Sequence, residues 1–137
     1  MSDSSARKAK VFVKSKGRQG MAEWAIQVVP VGKSPRRKSR KEFGLTQPQA
    51  YLKAVTEMLE EISEGAQLEL VCNDNYLTDG INTYLAAWQA NGWRKSDGGE
   101  IANKDAWQRL SAALTRHTVS ARRSHTDDEL RVLTEML

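Results

Sequence analysis

Residues 71–81 read VCNDNYLTDGI, and within them Asn73, Asp74, Asn75 and Asp79 crowd four oxygen-bearing side chains into seven positions behind an apolar run. Carboxylates gathered at the carboxyl end of a strand hold hard divalent cations or serve acid–base steps. Here half of the four are amides, which leaves three readings open: a metal site, a turn, or the remains of a metal site. Other residues with chemical potential are sparse. Cys72 is the single cysteine, so it forms no internal disulfide, and its apolar neighbours predict a buried thiol in a reducing compartment. The two histidines, His117 and His125, stand too far from it for a zinc pattern. No Gly-rich phosphate loop and no internal repeat is present.

The elements that must position these groups belong to one globular domain. With 39% hydrophobic and 28% charged residues, 137 residues suffice for a core without staples. No stretch has the length of a membrane span, and MSDSSARKAK lacks the apolar centre of a signal peptide, so a cytoplasmic protein without a membrane partner is expected. The net charge of +4 hides an asymmetry. Residues 1–45 carry twelve Lys or Arg against three acids, whereas residues 46–137 carry nine against fourteen. Such a split points to a charged face and a polyanionic partner, although edge strands also use Lys and Arg against aggregation.

Residues 1–9 form a polar, basic tail and residues 10–137 the domain. KVFVKSKG (10–17) alternates Val11 and Val13 with polar neighbours, and EWAIQVVPV (23–31) is a β-branched run; both predict strands. The cationic GKSPRRKSRKEF (32–43) predicts an edge strand or a loop. Thr46-Gln47-Pro48-Gln49 has the form of a capping box and precedes Leu52, Val55, Leu59 and Ile62 at helical spacing, with Gly65 as a stop. QLELVCN (67–73) predicts a strand. Ile81, Tyr84, Leu85 and Trp88 mark a helix behind Thr78, with Asp79 favoured at its N-terminus by the dipole. A further helix opens near Asn103 and buries Trp107, Leu110 and Leu114. HTVSARR predicts a fifth strand, and Thr126-Asp127-Asp128-Glu129 a second capping box before Leu130, Leu133 and Leu137. The order β-β-β-α-β-α-α-β-α predicts an α/β fold. Its mixed sheet has five strands, three antiparallel and then parallel crossovers, with helices on both faces.

Residues 75–114, NYLTDGINTYLAAWQANGWRKSDGGEIANKDAWQRLSAAL, closely resemble the central block of bacterial type 1 ribonuclease H. Gly92-Trp93-Arg94 resembles that family's basic handle, and Asp105-Ala106-Trp107-Gln108-Arg109-Leu110 its following helix. The resemblance implies the ribonuclease H fold over residues 10–137. It also implies cutting of RNA in RNA–DNA hybrids with two Mg²⁺ ions held by four carboxylates. Carried over residue by residue, those positions read Lys16 (or Ser15 on a one-residue shift), Ala50 (or its neighbours Gln49 and Tyr51), Asn73, and a retained Asp128. Neutral amides do not replace the lost charge. Asp74 cannot stand in for Asn73, because successive strand side chains point to opposite faces. Asp128 also suits a capping role, and His125 a surface position on the short RRSHT connection.

The stretch 71–81 thus reads as the remains of a metal site, and the expectation is of no metal, no cofactor and no enzyme. The expected role is an inactive, ribonuclease H-like module that binds a hybrid, duplex RNA or another duplex. The residues expected to carry that binding are Lys16, Arg18, Lys33, Arg36, Arg37, Lys38, Arg40, Lys41, Trp93, Arg94 and Lys95, which would supply affinity through phosphates with little sequence reading. The alternative is a protein-interaction scaffold, a subunit of a larger nucleic-acid-processing complex with an acidic protein partner. A more remote one is a residual hydrolase using Asp128 with Asp74 or Asp79.

Overall fold

The computed structural model describes residues 7–62 and 65–137. Five strands, β1 (Arg7–Arg18), β2 (Met21–Pro30), β3 (Arg36–Phe43), β4 (Ala66–Cys72) and β5 (Thr118–Arg123), form one sheet in the order β3-β2-β1-β4-β5. β1 pairs antiparallel with β2 and β2 with β3, while β4 joins β1 and β5 joins β4 in parallel. This is the mixed α/β sheet expected. The cationic segment is a strand. Of the tail expected over 1–9, residues 1–6 lie outside the described residues. Residues 7–9 correct the boundary, because they already pair with β4 as the start of β1.

Helix α1 (Gln47–Glu61) begins where the sequence demands. The Gln49 amide N–H donates to the Thr46 hydroxyl at 3.3 Å, and the Thr46 N–H donates back to the Gln49 side-chain oxygen at 3.0 Å. Two otherwise orphaned donors are satisfied by local chemistry, which needs no tertiary partner. α1 packs on one face of the sheet over Val11, Val13, Trp24, Leu68 and Leu70, all buried. The opposite face is covered by α5 (Arg131–Met136), where Leu130 and Leu133 bury Ala25 beside Phe12. Period-two alternation thus assigns Val11, Val13 and Ser15 to the α1 face and Phe12, Lys14 and Lys16 to the α5 face.

After β4 the chain turns into α2 (Asn75–Asp79), a π-helical turn (Gly80–Tyr84) and α3 (Leu85–Ala90). The helix starts one turn earlier than expected, so Asp79 ends α2 and does not sit at a helix N-terminus. The wide turn has a packing cause. Trp107 of α4 (Lys104–Leu114) is fully buried against Gly80, where a Cβ would lie 2.1 Å from the indole. Trp107 Nε1 donates to the Tyr76 hydroxyl at 2.7 Å, and Tyr76 and Trp88 each meet the indole edge-on at 5.4 Å. The same π turn carries Asn82, whose amide donates to the Ala121 carbonyl at 2.7 Å and accepts from the Ala121 N–H at 3.1 Å.

The second expected capping box is corrected. Residues Asp127–Leu130 form a 3-10 turn, and Thr126 makes no side-chain cap. Glu129 is drawn instead to β5, where Arg122 donates to its two oxygens at 3.2 and 2.8 Å and the His125 N–H donates to the same carboxylate. These contacts hold Glu129 down at about 2, the Arg122 hydrogen bonds being the larger cause. The contribution of this tie is therefore complete above the ordinary carboxylate range and fades as pH falls toward 2. A carboxyl NMR titration should place the Glu129 midpoint near 2 and return it to the ordinary range in Arg122→Gln. An ordinary midpoint in the wild type would mean that Arg122 and Glu129 are not paired in solution. Among the described residues, no helix is long and apolar enough to cross a membrane.

Candidate nucleic-acid interface

The carboxyl ends of β1 and β4 and the start of α1 meet at one end of the sheet. Ser15 donates to the Gln47 carbonyl at 3.2 Å, and the Gln47 amide donates to the Ser15 carbonyl at 3.0 Å. Tyr51, one helical turn further, lies beside the Ser15 backbone and within electrostatic reach of Cys72, Asp74 and Arg123. The group here is therefore Ser15, Tyr51, Cys72 and Asp74, with Asn73 turned to Arg123, which corrects the expectation that Asp74 faces away from this site. Lys16 and Ala50, the positions first in line from sequence, do not join it. Lys16 belongs to the opposite face of β1, and Ala50 is a fully buried core residue.

Two of the titratable groups buried here are neutral, and Asp74 beside them keeps one oxygen, Oδ2, buried without a hydrogen-bond partner. Burial pushes the Tyr51 hydroxyl up to about 12 and the Cys72 thiol up to about 11, so neither ionises near neutrality. Asp128 is 74% exposed and pairs with Arg131. Asn73 and Asn75 both turn their amide oxygens to Arg123, which donates to them at 2.7 and 2.6 Å. Among the described residues no group of three or more His, Cys, Asp and Glu is placed to hold a metal ion. A pair of hard cations requires several converging anionic oxygens. The donors present do not fit such a pair.

The cations nominated from sequence divide into two sets. On β3, Lys38 lies 3.6 Å from Glu57 and 3.0 Å from Glu61, and Arg40 lies 3.7 Å from Glu57; both pass over the Trp24 ring. Lys41 and Arg18 approach the buried Glu23 at 3.7 and 3.6 Å. These four are partly neutralised by the protein itself. Lys16, Lys33, Arg36, Arg37, Arg94 and Lys95 have no carboxylate within 4.0 Å among the described residues. Lys33, Arg36 and Arg37 line a groove of about 500 Å³ with an apolar floor of Ile26, Val28, Met58 and Leu68, whose lining also includes Glu57 and Glu61, the partners of Lys38. Arg94 is tethered through the Gly98 carbonyl at 3.2 Å, which fixes it on the loop between α3 and α4. Trp93 adopts a left-handed backbone (φ 63°) and packs against the core, so it anchors this loop and is not presented as a free stacking platform. His125 is exposed, as expected.

Arg123 is the residue that sequence reasoning missed. Its signal lay in strand register: β5 runs parallel to β4 with Cys72 opposite Arg123, which brings its guanidinium to the amides that follow Cys72.

The family model for RNase H matches residues 12–126. A ribonuclease H of Marinobacter nauticus is 31% identical over 120 residues, which cover 84% of this chain and 81% of the relative. Among solved structures, LC9-RNase H1, a type 1 RNase H with the type 2 active-site motif, matches with TM-score 0.76 and 19% identity over 96% of this chain and 70% of its own. The foamy viral protease-reverse transcriptase in complex with RNA/DNA hybrid matches with TM-score 0.77 and 14% identity, over 97% of this chain and 20% of its own. At these identities the two structures speak for the fold alone. The sequence relatives overturn one expectation: proteins named ribonuclease H are enzymes, and the match points to an enzyme where the reading of the carboxylates had pointed to none.

Proposed function

The chain belongs to the ribonuclease H family, and on that premise we propose that it takes up an RNA–DNA hybrid on the cations left without carboxylate partners among the described residues. The observation that carries this reading is the division of the basic residues. Lys33, Arg36 and Arg37 at one groove, with Arg94 and Lys95 on the α3–α4 loop and Lys16 on β1, keep their charge free for a ligand. A phosphate backbone is the ligand that exposed point charges and guanidinium forks serve best.

The test is a titration of labelled hybrid, double-stranded DNA, double-stranded RNA and single strands at several salt concentrations. Hybrid should bind with a log–log salt slope of about −0.9 per phosphate neutralised. Cleavage of the RNA strand, the activity carried by the relatives' name, is read in the same samples after addition of Mg²⁺. A protein that binds no nucleic acid even at low salt would reassign the basic face to an acidic protein partner.

A further inference from the structure

The carboxyl end of β4 holds a cation of its own, and the way it is held points to a ligand. Arg123 is exposed, and its two terminal nitrogens donate to the side-chain oxygens of Asn75 at 2.6 Å and Asn73 at 2.7 Å. The strand end beneath it is fixed by the Ser124 N–H, which donates to the Cys72 carbonyl at 2.9 Å. Both acceptors are neutral amides. They lock the side chain in one orientation without cancelling its charge. Of the five N–H donors of a guanidinium, two are used here and three remain for a ligand.

The surroundings do not neutralise it. The carboxylate between its two amide acceptors is Asp74, whose Oδ2 is buried without a hydrogen-bond partner, yet no nitrogen of Arg123 lies within 4.0 Å of any carboxylate among the described residues. Tyr51 and Cys72 beneath it are neutral at physiological pH, because burial raises both groups. Two other arginines are matched, Arg109 by Glu60 at 2.7 Å and the adjacent Arg122 by Glu129 at 2.8 Å, whereas Arg123, like Arg36, Arg37 and Arg94, has no carboxylate within 4.0 Å among the described residues. Arg123 is therefore an oriented, charged fork with no anion on it, the geometry that receives phosphate oxygens at least ordering cost.

We infer that Arg123, positioned by Asn73 and Asn75, receives a phosphodiester oxygen of the bound nucleic-acid backbone. This rests on the hybrid-binding reading and names one contact within it, at a place no basic stretch of the sequence marks.

Labelled hybrid is titrated in EDTA-containing buffer against wild type, Arg123→Gln and Asn73→Asp. Arg123→Gln should weaken binding roughly tenfold and flatten the salt slope by about 0.9, as expected when one charge-assisted phosphate interaction is removed. Asn73→Asp should act in the same direction although Arg123 is still present, because it places a carboxylate on the guanidinium. The Arg123 Nε–H resonance, assigned by its absence in Arg123→Gln, should move on addition of hybrid. If wild type binds with a clear salt slope but both variants match it and the resonance stays still, the Arg123 contact is refuted and hybrid binding stands. If wild type does not bind hybrid, both fall.

Discussion

Gly80→Ala is expected to destabilise the protein by about 3 kcal/mol, at the upper end of what overpacking a core costs. The backbone at Gly80 is right-handed helical (φ −60°, ψ −50°), so alanine adopts it without strain, and helix propensity favours alanine by about 1 kcal/mol. The loss comes from sterics alone. An added Cβ would meet Trp107 carbons at 2.1, 2.7 and 2.8 Å. The indole cannot retreat, because its N–H is bonded to Tyr76 and its edges are flanked by Tyr76 and Trp88. For a domain of this size the midpoint of thermal unfolding should fall by about 10 °C. Denaturant unfolding at unchanged m-value provides the check. Combining Gly80→Ala with Trp107→Leu should be strongly non-additive, since the second change removes the obstacle to the first. A Gly80→Ala protein whose stability stays within about 0.5 kcal/mol of wild type would refute the close approach.

The second large effect is on binding. Reversing Lys33, Arg36 and Arg37 to Glu should weaken hybrid affinity by at least about a hundredfold at moderate salt and flatten the salt slope by up to about 0.9 for each phosphate no longer neutralised. Reversing Lys38 and Arg40 should do less per residue, because Glu57 and Glu61 already hold those charges. Stability should stay within about 0.5 kcal/mol for each exposed position. The comparison is internal to one strand and the turn before it, so net charge alone cannot mimic it. Equal losses from the two sets would show that carboxylate pairing does not decide which cations meet the ligand. An unchanged slope in the triple variant would move the interface away from the groove.

What could be read in advance was local. The Thr46–Gln49 capping box is closed between residues three apart, and its sequence pattern is its mechanism. The strand alternation of Val11 and Val13 was legible too, and followed two residues further it assigns Ser15, not Lys16, to the α1 face. The apparent second box failed because Glu129 had a stronger, distant partner in Arg122. The ion pairs of β3 were hidden for the same reason: Glu57 and Glu61 share a helix face at i, i+4, but only packing determines which strand that face meets. Asp79 fell at the wrong end of its helix because the chain begins to coil directly after Asp74. Arg123 required the parallel register of β4 and β5, which no single segment encodes.

The paired contacts between Asn82 and Ala121 matter beyond the π turn that supplies them. β5 borders the sheet, and a border strand offers unpaired N–H and C=O groups to any similar strand that comes near. One amide side chain occupies both outward groups of Ala121, in the middle of β5, as a neighbouring strand would. At the other border, β3 presents cations to its own kind and repels them. A polyanion that gathers several copies along its length raises their local concentration and so the chance of strand-to-strand fusion. With one border interrupted at its centre and the other like-charged, strand-to-strand fusion is opposed at both.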